Sequence, residues 1–408
     1  MGAVGARIPA EWEPTRAIWV GIDLDSPELL DLTAALATAL LPHVAVKMLL
    51  STDGREDEAR RTLHKLGVEA DAVEFAVHPD GSFFIRDPLI FMHDRGGHTG
   101  TVAFRWNTYG LADWWERHLH ADNPDMAGRG ADYARVHDGA VARSIAEQIR
   151  GEVAPLGIVI EGGAVEVNGE GVLLMSKTLA IQRNRDLTID QIETELLRLP
   201  GMTKVIWLGE GLADDPHMKQ TIVADYVGLG TGGHTDEFVR FAGPRTILLG
   251  WVEESEAALH PVSAISRDRM QRNYDILASA TDAGGQPFRI IKVPMPTVVE
   301  RIEILTETTQ HPLGFSASSF PASEGRRAGD RVTRVAATSY LNYLVVNDHV
   351  VLPTYVEDGT PREVEDRVRA ILAAVFPDRT QHMIRATAAN WGGGGIHCAT
   401  NSEPTEAY

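Results

Sequence analysis

Residues 232–251 read GGHTDEFVRFAGPRTILLGW, in which two polar side chains precede the pattern of a β-hairpin. His234 and Asp236 come first, and two β-rich runs follow, Glu237–Phe241 and Thr246–Trp251. The residues between the runs include Gly and Pro, which are turn formers. Because turn residues between two such runs favour a hairpin, the stretch predicts a hairpin with His234 and Asp236 at its entrance.

The same pattern occurs at three other places, each time with a polar residue in front. Asp87, Glu161 and Asn342 lead the other three hairpin patterns. The predicted strand pairs are Pro88–Asp94 with Thr101–Trp106, Gly162–Val167 with Val172–Ser176, and Tyr343–Val346 with His349–Tyr355. Units of this kind arranged around an axis would bring their polar groups to a common centre. A series of ordinary hairpins with solvated polar ends is the alternative that the spacing leaves open.

Between these patterns the chain alternates predicted strands and helices, which is typical of an α/β protein. The predicted strands include Ala17–Ile22, Val44–Leu50, Leu89–His93 and Lys204–Leu208. The predicted helices are Pro27–Leu41, Glu56–Leu66, Ala140–Ala154, Ile189–Leu199 and Pro361–Phe376. No Pro/Ser-rich linker divides the chain, so we expect one domain over residues 1–408, with a loop insertion near residues 310–331.

Cys398 is the only cysteine of the chain, and it follows a run of four glycines, Gly392–Gly395. A disulfide within the chain has no second cysteine, and a structural zinc site normally needs several closely spaced ligands. A lone cysteine is most often a small buried apolar residue. The glycines instead favour a loop whose backbone approaches another surface closely, as a nucleophile beside a small-molecule pocket requires.

Composition limits the partners of the protein. The 57 acidic and 38 basic residues give a formal charge of −19, which disfavours binding to nucleic acid or an anionic membrane. The same charge is compatible with a cationic substrate. The N-terminal residues lack the apolar core of a signal peptide, and no apolar run is long enough to span a bilayer. With a single unpaired cysteine, these features predict a soluble cytoplasmic protein.

The polar residues that the patterns single out suit covalent chemistry on a guanidinium group. Carboxylates accept paired N–H bonds from this planar cation, and the charge strengthens each bond. A thiolate is an effective nucleophile toward the central carbon, and a bound cation favours its ionised form. Histidine can deliver and remove the protons that such a reaction moves.

Five motifs, in order along the chain, resemble those of the agmatine deiminase and bacterial-type (Porphyromonas-type) peptidylarginine deiminase family of the guanidine-modifying, or pentein, superfamily. The motifs are Ile85-Arg86-Asp87-Pro88, Glu161-Gly162-Gly163, Gly233-His234-Thr235-Asp236, Ser339-Tyr340-Leu341-Asn342 and Gly393–Cys398. The opening Ile8-Pro9-Ala10-Glu11-Trp12-Glu13-Pro14 is similar to the N-terminus of the family. The resemblance therefore runs nearly end to end.

The resemblance implies a pentein fold, a five-bladed α/β propeller of ββαβ-type units around a central active site. It implies that Cys398 is the nucleophile, that His234 is the general acid and base, and that Asp87 and Asp236 bind the guanidinium. Glu161 would orient His234 or stabilise its charge, and Asn342 matches an active-site position of the peptidylarginine branch. The implied activity is hydrolytic deimination of agmatine or an arginine derivative through a covalent amidino-thioether, with release of ammonia and a ureido product. No metal ion or organic cofactor is implied.

Three departures from the family pattern bear on the substrate. Phe84 stands where agmatine deiminases commonly have tryptophan, Pro88-Leu89 replaces a residue followed by Gly-Pro, and Gly232 replaces an aspartate. These changes indicate a divergent relative. Arg105 follows the first motif and is a candidate partner for a substrate carboxylate. Arg326, Arg327, Arg331 and Arg334, which border the insertion, are further candidates, although a solvated arginine is the ordinary interpretation of each.

Other functions fit part of the sequence. Asp214, Asp215 and His217, together with His234 and Asp236, could be interpreted as the metal site of a guanidine hydrolase. The covalent intermediate could also be captured by an amine, as in an amidinotransferase, or hydrolysed a second time, as in a dihydrolase. A guanidine-binding protein without catalysis would not need the thiol. The sequence leaves the guanidine substrate and the oligomeric state open, a homo-oligomer included.

Overall fold

The computed structural model describes residues 5–111, 114, 137–308 and 314–407, which form short strands and intervening helices. The strands are β1 (Thr15–Gly21), β2 (Ala45–Leu50), β3 (Val73–Val77), β4 (Ile90–His93), β5 (Thr99–Trp106), β6 (His137–Asp138), β7 (Val153–Val159), β8 (Val165–Val167), β9 (Val172–Ser176), β10 (Lys204–Leu208), β11 (His217–Val223), β12 (Tyr226–Thr231), β13 (Val239–Gly243), β14 (Thr246–Trp251), β15 (Arg289–Pro294), β16 (Glu300–Ile304), β17 (Arg331–Val335), β18 (Leu344–Val346), β19 (His349–Thr354), β20 (Thr380–Arg385) and β21 (Thr400–Pro404). The α-helices are α1 (Pro27–Leu40), α2 (Glu56–Lys65), α3 (Ala140–Ile149), α4 (Lys177–Arg183), α5 (Ile189–Leu196), α6 (Thr235–Phe238), α7 (Glu254–Ala257), α8 (Pro261–Ser279), α9 (Arg362–Val375) and α10 (Thr387–Asn390). No helix within these described ranges has the length and apolar character needed to cross a membrane.

Most predicted elements are confirmed with small shifts at their ends. The predicted strand Gly162–Val167 begins only at Val165, after a 3₁₀ turn, and Glu237 and Phe238 of the predicted run Glu237–Phe241 belong to α6.

The largest correction concerns a helix. The helix predicted over Ala140–Ala154 ends at Ile149, and the strand β7 already begins at Val153. Arg150, with φ 57°, closes the helix in the left-handed conformation. A residue in this conformation cannot continue a right-handed helix, so periodicity alone extended the prediction too far.

Five of the sheets share one strand arrangement. In each, an antiparallel strand pair is extended by a third strand that pairs in parallel with the second strand of the pair. Four of the pairs are hairpins, and the fifth joins β21 to β1 from opposite ends of the chain. The five sets are β4-β5 with β7, β8-β9 with β10, β13-β14 with β15, β18-β19 with β20, and β21-β1 with β2. A parallel third strand needs a crossover, and α3, α4 with α5, α8, α9 and α1 lie in these connections. The α/β class is therefore confirmed, and all four predicted hairpins are present.

A sixth sheet accounts for the longer interval between the third and fourth hairpins. Its strand order is β11-β12-β17-β16, and β16 and β17 come from that interval. Residues 310–313 of the predicted insertion lie outside the described residues. The described remainder contains two short 3₁₀ turns, Ala317–Ser319 and Ala322–Glu324, before β17 begins.

The first and last parts of the chain share a hydrophobic core. Antiparallel pairing joins β1 to β21, so the strand after the cysteine loop lies beside the first strand of the chain. Leu36 and Leu40 of α1 are buried in one cluster with Val346, Ile384 and Ile396. Full burial of each such side chain contributes about 1.5–3 kcal/mol. This core fixes the loop that carries Cys398 against the N-terminal sheet.

Gly21, the last residue of β1, allows a close backbone approach that we expect to be essential for stability. A Cβ atom at this position would lie 1.7 Å from the carbonyl oxygen of Phe83, so an alanine must displace the backbone. We expect Gly21→Ala to destabilise the fold by about 3 kcal/mol and to lower the thermal midpoint. Gly243→Ala is the matched control, because Gly243 also ends a strand and its Cβ would meet only Thr246, at 3.7 Å. Equal thermal midpoints for the two variants would contradict the prediction.

Candidate active site

Cys398 lies in a buried polar cluster to which three parts of the chain contribute. Asn342, just before β18, places its Nδ2 atom 3.2 Å from Cys398 Sγ. Asp236 Oδ2 and Glu237 Oε1, both from α6, each lie 3.6 Å from the same sulfur. All four side chains are almost completely buried. Cys398 is therefore surrounded by polar groups, unlike an ordinary core cysteine.

His234 lies between two carboxylates that come from other sheets. Its Nδ1 atom is 3.7 Å from Asp87 Oδ1, and its Nε2 atom is 3.5 Å from Glu161 Oε2. Burial lowers the pKa of His234, but Asp87 and Glu161 outweigh that effect and raise the pKa to about 9. His234 is thus protonated at neutral pH and can donate a proton.

Gly163 shows how closely these groups converge. A Cβ atom on Gly163 would lie 2.8 Å from Asp236 Oδ2, 2.8 Å from His234 Nδ1 and 3.0 Å from Asp87 Oδ1. Three functional side chains therefore surround one point, and any larger residue would fill it. The lack of a side chain at Gly163, two residues after Glu161, therefore leaves this space open.

Asp87 is held by two donors. Tyr109 donates its hydroxyl proton to Asp87 Oδ2 at 2.7 Å, and the Gly163 N–H donates to Oδ1 at 3.1 Å. Burial raises the pKa of Asp87 to about 6, although His234 and the Tyr109 hydrogen bond act in the opposite direction. Asp87 is thus ionised at neutral pH but loses its charge in mild acid.

Glu161 is paired with a buried arginine that the sequence analysis did not identify. Arg183, the last residue of α4, donates from Nε to Glu161 Oε1 at 2.7 Å and from Nη2 to the Thr231 carbonyl at 2.7 Å. Burial raises the pKa of Glu161, but Arg183 and His234 outweigh it and lower the pKa to about 2. Glu161 is therefore a permanent negative charge beside His234.

Asp236 is oriented by His397, the residue before the cysteine. His397 Nδ1 lies 2.7 Å from Asp236 Oδ2, and its Nε2 lies 2.5 Å from Glu11 Oε2. Glu11 also accepts a bond from Arg240 Nη2 at 2.6 Å, which ties the N-terminal motif to this site. Burial raises the pKa of Asp236, but His397 outweighs it and lowers the pKa. Among the described residues, Asp236 Oδ1 has no hydrogen-bond partner, so this acceptor is left for a cation.

Glu237 is a second residue that the sequence analysis missed. Its Oε1 accepts from Asn342 Nδ2 at 2.9 Å and lies beside the cysteine sulfur. Burial and the neighbouring Asp236 raise the pKa of Glu237 well above its usual value, which favours the protonated form of this side chain. Burial and Asp236 also raise the pKa of Cys398, which is a thiol in the free protein. The only signal in the sequence is the position of Glu237 directly after Asp236.

The glycines before Cys398 permit two close contacts. A Cβ on Gly394 would lie 2.7 Å from Phe84 Cε1 and 3.0 Å from Cys398 Cβ. A Cβ on Gly395 would lie 2.5 Å from Asn342 Oδ1. The loop therefore brings the ring of Phe84 and the amide of Asn342 against the cysteine.

Tyr109, a third residue that the sequence analysis did not identify, reaches the site from a turn with a left-handed backbone conformation. Thr108, Tyr109 and Gly110 have φ values of 52°, 62° and 71°, and the left-handed region is uncommon for the first two residue types. The Tyr109 carbonyl accepts a bond from His217 Nε2 at 2.7 Å, which holds this turn. Strained residues of this kind cluster at functional sites, and nothing local in the sequence marks this one.

The arginines proposed to bind a substrate carboxylate are not brought to the cysteine. The side chain of Arg105 is 49% exposed, and its Nε lies 3.8 Å from Asp138 Oδ1. Arg326 pairs with Asp225, and Arg334 pairs with Glu303. Neither Arg327 nor Arg331 has a described side-chain contact with a residue at Cys398.

Of the residues in the alternative metal site, Asp215 and His217 are engaged elsewhere, whereas His234 and Asp236 belong to the cluster around Cys398. Asp215 accepts hydrogen bonds from Thr231 and the Gly233 N–H, and His217 contacts the Tyr109 carbonyl. In the described ranges, the group of metal-capable atoms nearest this site is Asp236, Glu237 and Cys398. The geometry therefore favours a thiol site that binds a cation over the predicted metal site.

Comparison with known proteins agrees with this chemistry. The family model for Porphyromonas-type peptidyl-arginine deiminase matches residues 7–404. Two agmatine deiminases, from Pseudomonas putida and Pseudomonas syringae pv. tomato, are each 28% identical over 98% of this chain and 96% of their own length. The structure of the agmatine deiminase of Enterococcus faecalis superposes with a TM-score of 0.73 and 22% identity, over 99% of this chain and 97% of that one. Because the family match spans nearly the whole sequence, the chain belongs to the Porphyromonas-type peptidyl-arginine deiminase family and is a hydrolytic deiminase.

Proposed function

We propose that this enzyme hydrolyses the guanidinium group of agmatine, with release of ammonia and a ureido product. The observation that carries the proposal is the convergence of a thiol, a protonated histidine and two ionised aspartates in one buried cluster. Binding of a guanidinium alone would require the aspartates but not the thiol. The two Pseudomonas relatives named as agmatine deiminases supply the choice of substrate.

In the proposed reaction, Asp87 and Asp236 hold the plane of the guanidinium. Once the cation is bound, Cys398 releases its proton to solvent. The thiolate Sγ then attacks the central carbon, and a C–S bond forms. His234 protonates one amino group, the C–N bond breaks, and ammonia leaves. An amidino-thioether on Cys398 remains.

Water completes the cycle. His234, now neutral, accepts a proton from the attacking water, and a C–O bond forms at the same carbon. The C–S bond then breaks, the new hydroxyl group gives its remaining proton to the sulfur as the C=O bond forms, and the ureido product leaves. No redox change occurs, and water is the only co-substrate.

The electrostatics of the cluster suit a cationic substrate. Negative charge at Asp236 disfavours a thiolate in the free enzyme, whereas a bound guanidinium compensates that charge and favours the thiolate. Glu161 stabilises the positive charge of His234 until ammonia leaves. We therefore propose Glu161 as a positioning residue, and Asn342 as the group that orients the sulfur through its Nδ2–H.

Two observations favour agmatine over arginine. Arginine carries a carboxylate, and its recognition calls for a cationic side chain near the site. Arg183 and Arg240 already pair with carboxylates, and Arg105 points to an exposed position beside Asp138. Arg86, beside Asp87, lies 3.9 Å from Glu11 and donates to the His397 carbonyl. The net charge of −19 also favours approach of a dication.

We also propose that the five sheets of common strand order are the five blades of a pentein propeller, and that the whole chain acts as one deiminase domain. The leading polar groups support this arrangement. In each of the five sheets, one polar residue stands before the first strand of the antiparallel pair, and all five residues contribute to the cluster. They are Asp87, Glu161, His234, Asn342 and Cys398. We expect the enzyme to act in the cytoplasm.

A product assay tests the proposed function. The purified enzyme is incubated with agmatine, free arginine, N-methylarginines, guanidino acids and arginyl peptides, and ammonia and ureido product are measured together. Equal amounts from agmatine support deimination, whereas ammonia at twice the substrate consumed indicates dihydrolase chemistry. An amidino product formed only with an added amine indicates an amidinotransferase. Binding without turnover of any compound would overturn the proposal.

Tyr109→Phe is expected to shift the acidic limb of the pH–rate profile. The hydroxyl of Tyr109 lowers the pKa of Asp87, so its removal raises that pKa further above about 6. Asp87 must be ionised to bind the cation, so activity is lost as the pH falls through its pKa. The acidic limb of kcat/KM should therefore move to higher pH in the variant. Tyr226→Phe is the control, because Tyr226 contacts His260 and not Asp87. If the acidic limb of Tyr109→Phe stayed at the wild-type pH, the prediction would be contradicted.

A further inference from the structure

Three histidines that take no part in the cluster around Cys398 meet on the surface. His43 follows the C-terminal end of α1, His349 begins β19, and His382 lies within β20. His43 is exposed, and the other two are half-buried. Their positions are far apart in sequence, so only the tertiary fold brings them together.

The three rings are close enough to share one ligand. His349 Nδ1 lies 2.9 Å from His382 Nε2, and the ring of His43 stacks on that of His349 with centroids 3.7 Å apart. One ring nitrogen from each histidine lies within 4.8 Å of the other two. Zn–N bonds of about 2.0–2.1 Å in tetrahedral geometry place the ligand nitrogens roughly 3.3–3.4 Å apart. The His349–His382 distance of 2.9 Å is somewhat shorter than that value, and the 4.8 Å limit on the other pairs of nitrogens is longer.

The surroundings leave these imidazoles available to a metal. His349 Nδ1 and His382 Nε2 share a hydrogen bond, which a bound ion would replace. Neutral imidazoles carry the lone pairs that a metal needs. A set of nitrogen ligands without a carboxylate suits zinc, nickel or copper, whereas magnesium and calcium prefer oxygen.

Two of the three histidines are held by the sheet, and the third is exposed and free to adjust. His349 and His382 are fixed on adjacent paired strands, so their separation is set by the sheet. His43 is exposed and stacked at an interplanar angle of 28°, so a modest tilt of its ring would turn its nitrogen toward the other two.

We propose that His43, His349 and His382 form a surface site for a divalent transition-metal ion of the zinc class, with a fourth position open to water. A bound ion would join the end of α1 to β19 and β20, across the core shared by the two ends of the chain. An ion that binds the folded chain stabilises it according to its concentration relative to Kd. A bound ion would therefore stabilise the fold, and this effect does not depend on the proposed reaction.

Titration calorimetry with Zn²⁺ tests the site. The tag-free Cys398→Ser variant is used as the background, because Asp236, Glu237 and Cys398 form the other metal-capable group among the described residues. We expect one zinc ion per chain and a rise in thermal midpoint on saturation. Adding His43→Gln or His382→Gln should weaken binding at least about tenfold and remove the rise, as loss of a ligand does.

His64→Gln is the matched control. His64 is also an exposed histidine, but it lies 3.4 Å from Asp71 and outside the cluster. It should leave zinc binding unchanged. His43 is exposed, so its variant keeps the fold and the test remains valid if His382→Gln does not fold. Absence of zinc binding, or binding that His43→Gln leaves unchanged, would overturn the proposal.

Discussion

Cys398→Ser is expected to lower kcat for agmatine by roughly 10⁴-fold or more, as removal of a covalent nucleophile does. Serine is nearly isosteric, so the hydrogen bond from Asn342 and the fold should persist. A hydroxyl is a far weaker nucleophile than a thiolate, because much less of it is ionised. The measurement is steady-state formation of the ureido product, with KM compared between the two proteins.

The covalent step can be examined separately. An electrophilic amidine should add its mass to the wild-type chain and not to Cys398→Ser, and Cys398 is the only thiol of the sequence. Unchanged thermal midpoints would show that the variant is folded. Near-normal turnover by Cys398→Ser, or equal labelling of both proteins, would exclude the proposed intermediate.

His234→Asn is expected to reduce kcat by about 10²–10⁴-fold, the usual contribution of a general acid and base. The wild-type pH profile of kcat/KM should be bell-shaped. Its acidic limb follows Asp87, whose pKa is about 6, and its alkaline limb follows His234, whose pKa is about 9. Activity falls above that value because a neutral His234 has no proton for the departing ammonia.

The variant should therefore lose the alkaline limb as well as rate. His98→Asn is the control, since His98 is exposed and pairs with Glu406 near the C-terminus. The control should keep the wild-type rate and both limbs. An alkaline limb that survives in His234→Asn would assign that titration to another group.

Buried acceptors in the cluster that lack a hydrogen-bond donor are consistent with a cationic ligand. Among the described residues, the carboxylate oxygens Asp236 Oδ1 and Glu161 Oε2 are buried without a hydrogen-bond partner. Each such group costs about 1–3 kcal/mol in a stable core. A guanidinium group carries several N–H donors in one plane, so it can satisfy acceptors that the protein leaves free.

Several features were predictable because local chemistry determines them. The hairpin after Asp236 depends on Pro244 in its turn and on the apolar runs beside it, and it is present, with its first strand beginning at Val239. The largest error in a predicted helix end is at Arg150, which adopts a left-handed conformation that no sequence pattern specifies. The family was recognisable because the motifs keep their order along the chain.

Other features required contacts between distant residues. Tyr109 reaches Asp87 only through an unusual turn, and Arg183 meets Glu161 only because α4 ends beside the site. Arg105 was a reasonable candidate from its position after the first motif, but its strand directs it to an exposed site beside Asp138. The spacing of residues along the sequence does not specify where these side chains point in the folded chain.

The sequence by itself determined the α/β class, the hairpins and the family, because short-range periodicity, turn residues and motif order are local properties. Only the tertiary structure decided which side chains share the buried space around Cys398, including Glu237 and Tyr109. It alone brought His43, His349 and His382 together on the surface. The physical reason is that burial, hydrogen bonding and charge depend on contacts between sheets, and chain folding creates those contacts across hundreds of residues.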